Sequence, residues 1–209
     1  MRRITREDYP VDTLQRIVGG VTFFKELIQH HPEQFELLMS VASFVTADEN
    51  EVILHKGDDA NVLYFLLKGS LAVLAEGDNS KVLNEIHAGE MFGVMAMVLS
   101  NKRSASLKVH SRTALLAGID FQYFNDLNDY SLFSLDTKIH FFRTVNNHIR
   151  WHLEQKKIGS PNHPLVTKLR TLPIYSKSKN TQEELVFLHN QAQLQAQLLC
   201  EWNATPNYS

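Results

Sequence analysis

The chain has 209 residues, of which 44% are hydrophobic and 21% charged, and a formal net charge of −2 at pH 7. This composition is ordinary for a globular protein with one sizeable core, or with one domain and a small appendage. The near-neutral charge supplies no global attraction to nucleic acid or to an anionic membrane, although it leaves DNA binding open.

The sequence also lacks the usual signs of secretion, membrane insertion and catalysis. No apolar run reaches the roughly 18–20 residues of a transmembrane helix, and the charged N-terminus is not followed by the apolar core of a signal peptide. The single cysteine, Cys200, cannot form an intramolecular disulfide, which agrees with the cytoplasm. No catalytic constellation, phosphate-binding loop or metal-ligand spacing is visible, so we expect no enzyme, no catalytic residue, no metal and no cofactor.

The segment near the N-terminus of the chain has a helical pattern. Residues 13–40 carry apolar positions at helical spacing, interrupted by Gly19, Gly20 and Pro32, which predicts two or three short helices. His30 and His31 lie in this segment, but adjacent side chains of a helix point in different directions. We therefore interpret them as surface residues rather than as metal ligands.

From residue 42 to 119 the pattern changes to short runs rich in Val, Leu, Ile, Phe and Tyr, separated by Gly and Asp turns. Strands are predicted at 43–47, 51–55, 62–68, 70–75, 81–86, 103–109 and 113–119. Regular short strands with such turns indicate a β-sandwich or jelly roll.

One stretch of this region, residues 89–107, carries a candidate anion site. It reads as a strand end, a helical turn that begins at Gly93, a polar corner and a strand led by Arg103. Unpaired N–H groups at the start of a helix attract anions, and an arginine offers a planar fork of donors that suits phosphate oxygens. By itself this local pattern is also typical of a turn beside a surface charge.

The same stretch resembles the phosphate-binding cassette of the cyclic nucleotide-binding domain family. The matching residues, in order and at the family's spacing, are Phe92, Gly93, Met95, Ala96, Met97, Arg103, Ser104 and Ala105. The resemblance extends over about residues 20–160. It implies an α+β fold with a mainly β core, a double-stranded β-helix or jelly roll, preceded by helices. It implies cAMP or cGMP as a regulatory ligand, held by Gly93, Val94, Met95, Ala96, Arg103, Ser104 and Ala105.

The cassette departs from the family at Val94, where the family has a glutamate that accepts a hydrogen bond from the ribose 2′-hydroxyl. A buried hydroxyl without that acceptor would cost roughly 1–3 kcal/mol, which weakens binding about 5- to 150-fold. Glu90 is a poor substitute, since we expect it in the preceding strand.

A long helix is predicted over residues 121–158, capped by Asp120. Its apolar positions alternate in steps of three and four residues, which predicts a parallel homodimer with the interface Leu132, Leu135, Ile139, Phe142, Asn146, Ile149 and Leu153. A single asparagine at such a position fixes register and two-stranded pairing. The alternative is an amphipathic helix that lies on the barrel of its own chain. His148 and His152, four residues apart, are interpreted as a polar stripe beside this seam.

The tail, residues 159–209, is predicted to contain a helix at 165–172 and another from Thr181 to about Trp202, with Thr181 and Glu184 as a capping box. The resemblance places a DNA-binding module of the catabolite activator type here. However, residues 180–209 contain neither Lys nor Arg, so phosphates would meet no positive charge.

The sequence therefore predicts three segments: a jelly roll with leading helices at 1–120, a dimerisation helix at 121–158 and a small helical tail at 159–209. Its predicted function is that of a regulatory or sensor protein in which ligand binding repositions the long helix. The alternatives are a transcription regulator with a divergent DNA-binding tail and a ligand-free protein-interaction module.

Overall fold

The computed structural model describes residues 1–4, 11–75, 78–100 and 102–205. Residue 101, inside the predicted anion site, and residues 206–209 of the predicted tail lie outside these ranges. The chain divides into two compact units, Met1–Asn125 and Asp126–Ser209. The predicted long helix and the predicted tail thus share one unit, because the helices of both pack on each other.

In its described residues, the first unit contains four α-helices and nine strands. The helices are α1 (Val11–Val18), α2 (Thr22–His30), α3 (Pro32–Val41) and α4 (Gln122–Asn125). The strands are β1 (Arg2–Ile4), β2 (Ser43–Asp48), β3 (Val52–Leu54), β4 (Val62–Lys68), β5 (Ser70–Ala75), β6 (Asp78–His87), β7 (Met91–Phe92), β8 (Ser106–Val109) and β9 (Thr113–Asp120). The predicted leading helices, of which the structure has three, and the jelly-roll pattern are confirmed.

The strands form two antiparallel sheets, in the orders β1-β2-β9-β4-β7 and β3-β8-β5-β6. Alternate residues of both sheets meet in an apolar core that consists of Ala47, Ile53, Leu66, Leu71, Phe92, Leu107, Val109, Ala114 and Leu116. This packing is the reason for the short apolar runs of the sequence. The short strands β1 and β7, both outside the predicted set, complete the first sheet at its edges.

Aromatic side chains join the leading helix α2 to the first sheet. The ring of Phe24 on α2 lies 4.7 Å from that of Phe65 on β4, and Phe23 stacks on Phe65 at 6.0 Å. Phe124 of α4 meets Phe23 edge to face, and all four rings are fully buried. Large rings in such contact contribute about 0.5–1.5 kcal/mol per pair beyond their area burial.

The second unit contains α5 (Leu135–Gly159), α6 (Leu165–Arg170) and α7 (Gln182–Ala204). Thr181 caps α7 by accepting a hydrogen bond from the Glu184 N–H at 3.2 Å, as the capping box predicts. None of the helices in the described ranges is both long enough and apolar enough to cross a membrane.

The predicted continuous helix over 121–158 requires correction, because residues 126–134 separate α4 from α5. The carboxylate of Asp126 accepts from the Asn128 N–H at 3.0 Å, and that of Asp129 accepts from the Ser131 N–H at 2.8 Å. These side chains satisfy backbone donors that a helix would otherwise use, and they thereby favour turns. Ser134 then caps α5 through the Thr137 N–H.

Candidate functional site

The predicted anion site begins where β7 ends. Pairing of β7 with β4 places Phe92 opposite Tyr64, and the chain turns immediately afterwards at Gly93, whose φ is +88°. A Cβ atom at this position would lie 2.7 Å from Nη1 of Arg103 and 3.4 Å from the carbonyl oxygen of Val62. Glycine is needed here both for the backbone conformation and for the approach of the guanidinium.

Arg103 reaches Gly93 from the other side of the site. It lies in an irregular segment before β8, a correction to the predicted strand 103–109, because its backbone pairs with a turn instead of a strand. Its N–H donates to the Asp58 carbonyl at 2.8 Å, and its own carbonyl accepts from the Gly57 N–H at 2.9 Å. Two residues 10 positions apart in sequence, Gly93 and Arg103, are thus brought together as predicted.

The guanidinium of Arg103 is unusual in its burial. The residue is only 6% exposed, and Nη1 has no hydrogen-bond partner among the residues that the structure describes. Buried donors are normally paired, and an unpaired one costs about 1–3 kcal/mol, more when it is charged. An anion that accepted a hydrogen bond from Nη1 would remove this cost.

An aromatic platform supports the guanidinium. Its Cζ lies 5.5 Å from the centroid of the Tyr64 ring, which in turn stacks on Phe92 at 5.3 Å with 14° between the planes. Burial lowers the pKa of Arg103 below its usual value, and the electrostatic influence of Tyr64 and Asp58 opposes that shift. Arginine stays charged at physiological pH even so.

The segment after Gly93 is a single helical turn that continues as a π-helical turn, Ala96–Ser100. Val94, Ala96 and Met97 are buried, with 3%, 1% and 6% of their surface exposed, whereas Met95 is half-buried. The Met97 N–H donates to the Gly93 carbonyl at 3.2 Å. The burial of Val94 means that the position of the family's glutamate holds an apolar side chain with no capacity to accept a hydrogen bond.

Glu90 does not replace that glutamate. Its Oε2 accepts from the His87 N–H at 2.6 Å, and its backbone carbonyl accepts from the Leu66 N–H at 2.9 Å. The carboxylate therefore closes the turn that precedes β7. Ser104 is exposed and Ala105 is half-buried in the bend before β8, and their roles in binding stay predictions.

The aromatic platform is the part of the site that the sequence reasoning missed. Tyr64 and Phe92 lie 28 positions apart, and their contact follows from the register of β4 against β7. The short, two-residue β7 gives no periodic pattern of its own. A useful signal would have been the aromatic residue directly before Gly93.

The predicted dimer interface lies inside the second unit. Five of its seven residues are buried within this chain: Ile139, Phe142, Asn146, Ile149 and Leu153. Leu132 lies in the turn segment before α5, and Leu135 is the first residue of the helix, half-buried. The partner in this structure is α7, because Asn146 Nδ2 donates to the Leu188 carbonyl at 2.8 Å. The seam is thus covered by a helix of the tail, which is neither the predicted second copy nor the barrel of the predicted alternative.

The two histidines beside the seam form a ring pair rather than a metal site. The centroids of His148 and His152 lie 4.7 Å apart, and no group of three or more candidate ligands occurs among the described residues. Burial, and secondarily His152, lowers the pKa of His148 to about 3. His148 is therefore neutral near pH 7.

Comparisons with known proteins agree with this geometry. The family model described as Cyclic nucleotide-binding domain matches residues 44–129. The chain is 27% identical over 93 residues to a cGMP-dependent protein kinase of Eimeria tenella, a match that covers 44% of this chain and 9% of that protein. It is 31% identical over 114 residues to the cAMP-dependent protein kinase type II regulatory subunit of Drosophila melanogaster, which covers 54% and 29%.

These matches span less than a third of the length of either relative. Among solved structures, the regulatory subunit of a cAMP-independent protein kinase A from Trypanosoma brucei superposes with a TM-score of 0.51 at 17% identity, over 70% of this chain and 49% of that one. That likeness concerns the fold alone. Together with the two sheets and the Gly93 turn, the match of the family model shows that residues 44–129 belong to the cyclic nucleotide-binding domain family.

Proposed function

We propose that this chain is a regulatory protein that senses a cyclic nucleotide, cAMP or cGMP, at the site between Gly93 and Arg103. The names of two relatives, a cGMP-dependent protein kinase and a regulatory subunit of a cAMP-dependent protein kinase, support this class of ligand. The ligand's phosphate would be held by Arg103 and by the backbone that follows Gly93. A ligand shifts a conformational equilibrium only through its different affinities for the two states.

The observation that carries the proposal is the buried and unpaired Nη1 of Arg103. A purely structural arginine at 6% exposure would be expected to pair with a carboxylate or carbonyl, since burial without a partner is unfavourable. Gly93 keeps the space next to this donor free of a side chain, and Tyr64 holds the guanidinium from its face. A phosphate oxygen is the acceptor for which such a fork is suited.

Val94 sets the expected affinity and selectivity. Because a valine accepts no hydrogen bond, a ribose 2′-hydroxyl gains nothing from this position, and binding should be weaker than in a site with a glutamate by about 5- to 150-fold. For the same reason, a 2′-deoxy analogue should bind this chain within about threefold of the parent nucleotide.

The test is isothermal titration with cAMP, cGMP and 2′-deoxy-cAMP. We expect saturable heat with at least one ribonucleotide in the wild-type protein, lost in Arg103→Ala and kept in Arg112→Ala. Arg112 is a suitable control because it is an exposed arginine of the same unit. Absence of heat with every ligand from folded protein would refute the proposal, as would equal binding by both variants.

We extend the proposal to the setting of the protein: a binding role in the cytoplasm, without catalysis and without a resident cofactor. The proposal includes a homodimer along α5 only for a state in which α7 has left the seam. DNA binding by the tail has less support, since the apolar face of α7 is buried against α5 and the helix has neither Lys nor Arg.

A further inference from the structure

Two helices of the second unit carry the same repeat on their contacting faces. Five of the buried residues of α5 follow steps of three and four: Ile139, Phe142, Asn146, Ile149 and Leu153. Six of the buried residues of α7 follow the same steps: Leu185, Leu188, Ala192, Gln195, Leu199 and Trp202. Each helix buries further residues beside this row. This spacing is that of a two-stranded coiled coil, in which either helix can be replaced by another with the same repeat.

The two helices also run in the same direction. Near their starts, Arg143 Nη2 donates to Glu184 Oε1 at 2.6 Å. Gln182, the first residue of α7, donates to the carbonyl of Leu127, which precedes α5, and Thr205 after α7 contacts His163, which follows α5. Parallel pairing is the arrangement that two copies of α5 would adopt around a symmetry axis along the helices.

The pairing with α7 leaves polar atoms unsatisfied. Asn146 Oδ1 and Gln195 Oε1 are buried without a hydrogen-bond partner in the part of the chain that the structure describes. Asn146 uses only its Nδ2, towards the carbonyls of Phe142 and Leu188. In a parallel pair of α5 helices, Asn146 would face Asn146 of the second copy, and each amide could donate to the other.

We propose that α7 is a detachable cover on α5, and that the partner of the uncovered seam is α5 of a second copy of this chain. The cover competes with the second copy for one surface. This inference concerns the second unit and does not depend on the proposed ligand. The unpaired Oδ1 of Asn146 favours this occupant, since an unrelated apolar helix would leave it unpaired as α7 does.

The cover is held partly by polar contacts at its N-terminal end, outside the apolar seam. Glu184, only 4% exposed, accepts from Arg143 and from the Asn180 N–H at 2.6 Å. Gln182 Nε2 donates to the Leu127 carbonyl at 2.9 Å. Substitutions of these two residues weaken the cover while the surface of α5 keeps its side chains.

The experiment measures the dimerisation constant by sedimentation equilibrium for Glu184→Ala, Gln182→Ala and a control, Glu183→Ala. Loss of a buried ion-pair partner should raise the open fraction at least about tenfold. Because both copies must open, the association constant rises with the square of that fraction, about a hundredfold. Gln182→Ala should act in the same direction but less. Glu183 is exposed and pairs with Lys177, so its removal should leave the constant unchanged.

A second substitution tests whether the seam of α5 forms the dimer. In Glu184→Ala with Asn146→Asp, two carboxylates would face each other across the pair, and the protein should return to a monomer. The proposal is overturned if Glu184→Ala and Gln182→Ala, folded by circular dichroism, associate no more than the wild type. It is equally overturned if dimers persist with Asn146→Asp.

Discussion

Gly93→Ala separates the two reasons for a glycine beside Arg103. An alanine there must adopt a φ of +88°, and its Cβ would lie 2.7 Å from Nη1 of Arg103. The chain contains a matched control in Gly89, whose φ is +97° and whose Cβ would meet only the Gly20 carbonyl oxygen, at 3.4 Å. Gly89→Ala therefore reports the backbone strain without displacing the guanidinium.

The magnitudes follow from these contacts. A left-handed conformation costs an alanine roughly 1–2 kcal/mol, so both variants should lose that much free energy of unfolding. Nη1 is the far end of a flexible side chain and can move, whereas the Val62 carbonyl at 3.4 Å needs little adjustment. The additional loss of stability in Gly93→Ala should thus be below about 1 kcal/mol. A displaced guanidinium, however, forfeits a charge-assisted hydrogen bond to the ligand, about 1.5–3 kcal/mol, which weakens binding about 10- to 150-fold.

Urea unfolding and titration with cAMP or cGMP measure the two quantities on the same samples. We expect similar midpoints for the two variants and a loss of affinity in Gly93→Ala alone. If Gly89→Ala weakens binding as much, the effect is one of backbone strain and not of the guanidinium's position. If Gly93→Ala binds like the wild type, the assignment of Arg103 as the phosphate ligand is refuted.

Three further predictions concern buried ionisable groups. Arg103→Leu should abolish ligand binding yet keep or raise the urea stability, by up to about 2 kcal/mol, since a buried guanidinium with an unpaired Nη1 disappears; a clear loss of stability would contradict this. Lys138 is 1% exposed, and its Nζ lies 2.6 Å from the Asp126 carbonyl oxygen. Thermal unfolding should show that Lys138→Ala lowers the free energy of unfolding by about 3 kcal/mol and that Lys138→Met lowers it less. The pKa of His148 is lowered to about 3 from an ordinary 6.5. Below pH 6.5 the unfolded chain therefore takes up a proton at His148 that the folded protein does not, and the free energy of unfolding declines as the pH falls. The unfolding free energy should drop by up to about 2 kcal/mol between pH 7 and pH 5, and His148→Gln should flatten that profile.

The strands that the sequence predicted best are those with clear boundaries. β4 and β5 were predicted with the bounds they have, because continuous apolar runs lie on either side of Gly69, whose φ of +91° ends one strand and starts the next. The pairing of Gly93 with Arg103 came from the spacing of a known motif, since no local pattern brings them together. Their aromatic support depends on the cross-strand register, which single-sequence periodicity does not determine.

The break between α4 and α5 was readable in principle. Asp126 and Asp129 are each followed two residues later by the N–H that their carboxylates accept, and this side-chain-to-backbone bond competes with the helix. The apolar spacing of Leu132 with Ile139 suggested continuity because a three- and four-residue period persists by chance over about two turns. Local hydrogen bonding decided the outcome at this point.

The partner of α5 could not be predicted, for a different reason. A heptad pattern describes the shape of a contact surface, and Asn146 fixes its register, but neither identifies the helix on the other side. α7 carries the same repeat and is joined to α5 by the chain, so its effective concentration is of the millimolar order that flexible linkers provide. A second copy at micromolar concentration must bind about a thousandfold more tightly to displace it. The unpaired amide oxygens of Asn146 and Gln195 weaken the binding of α7 to α5, which reduces this thousandfold requirement, and substitutions at Glu184 reduce it further.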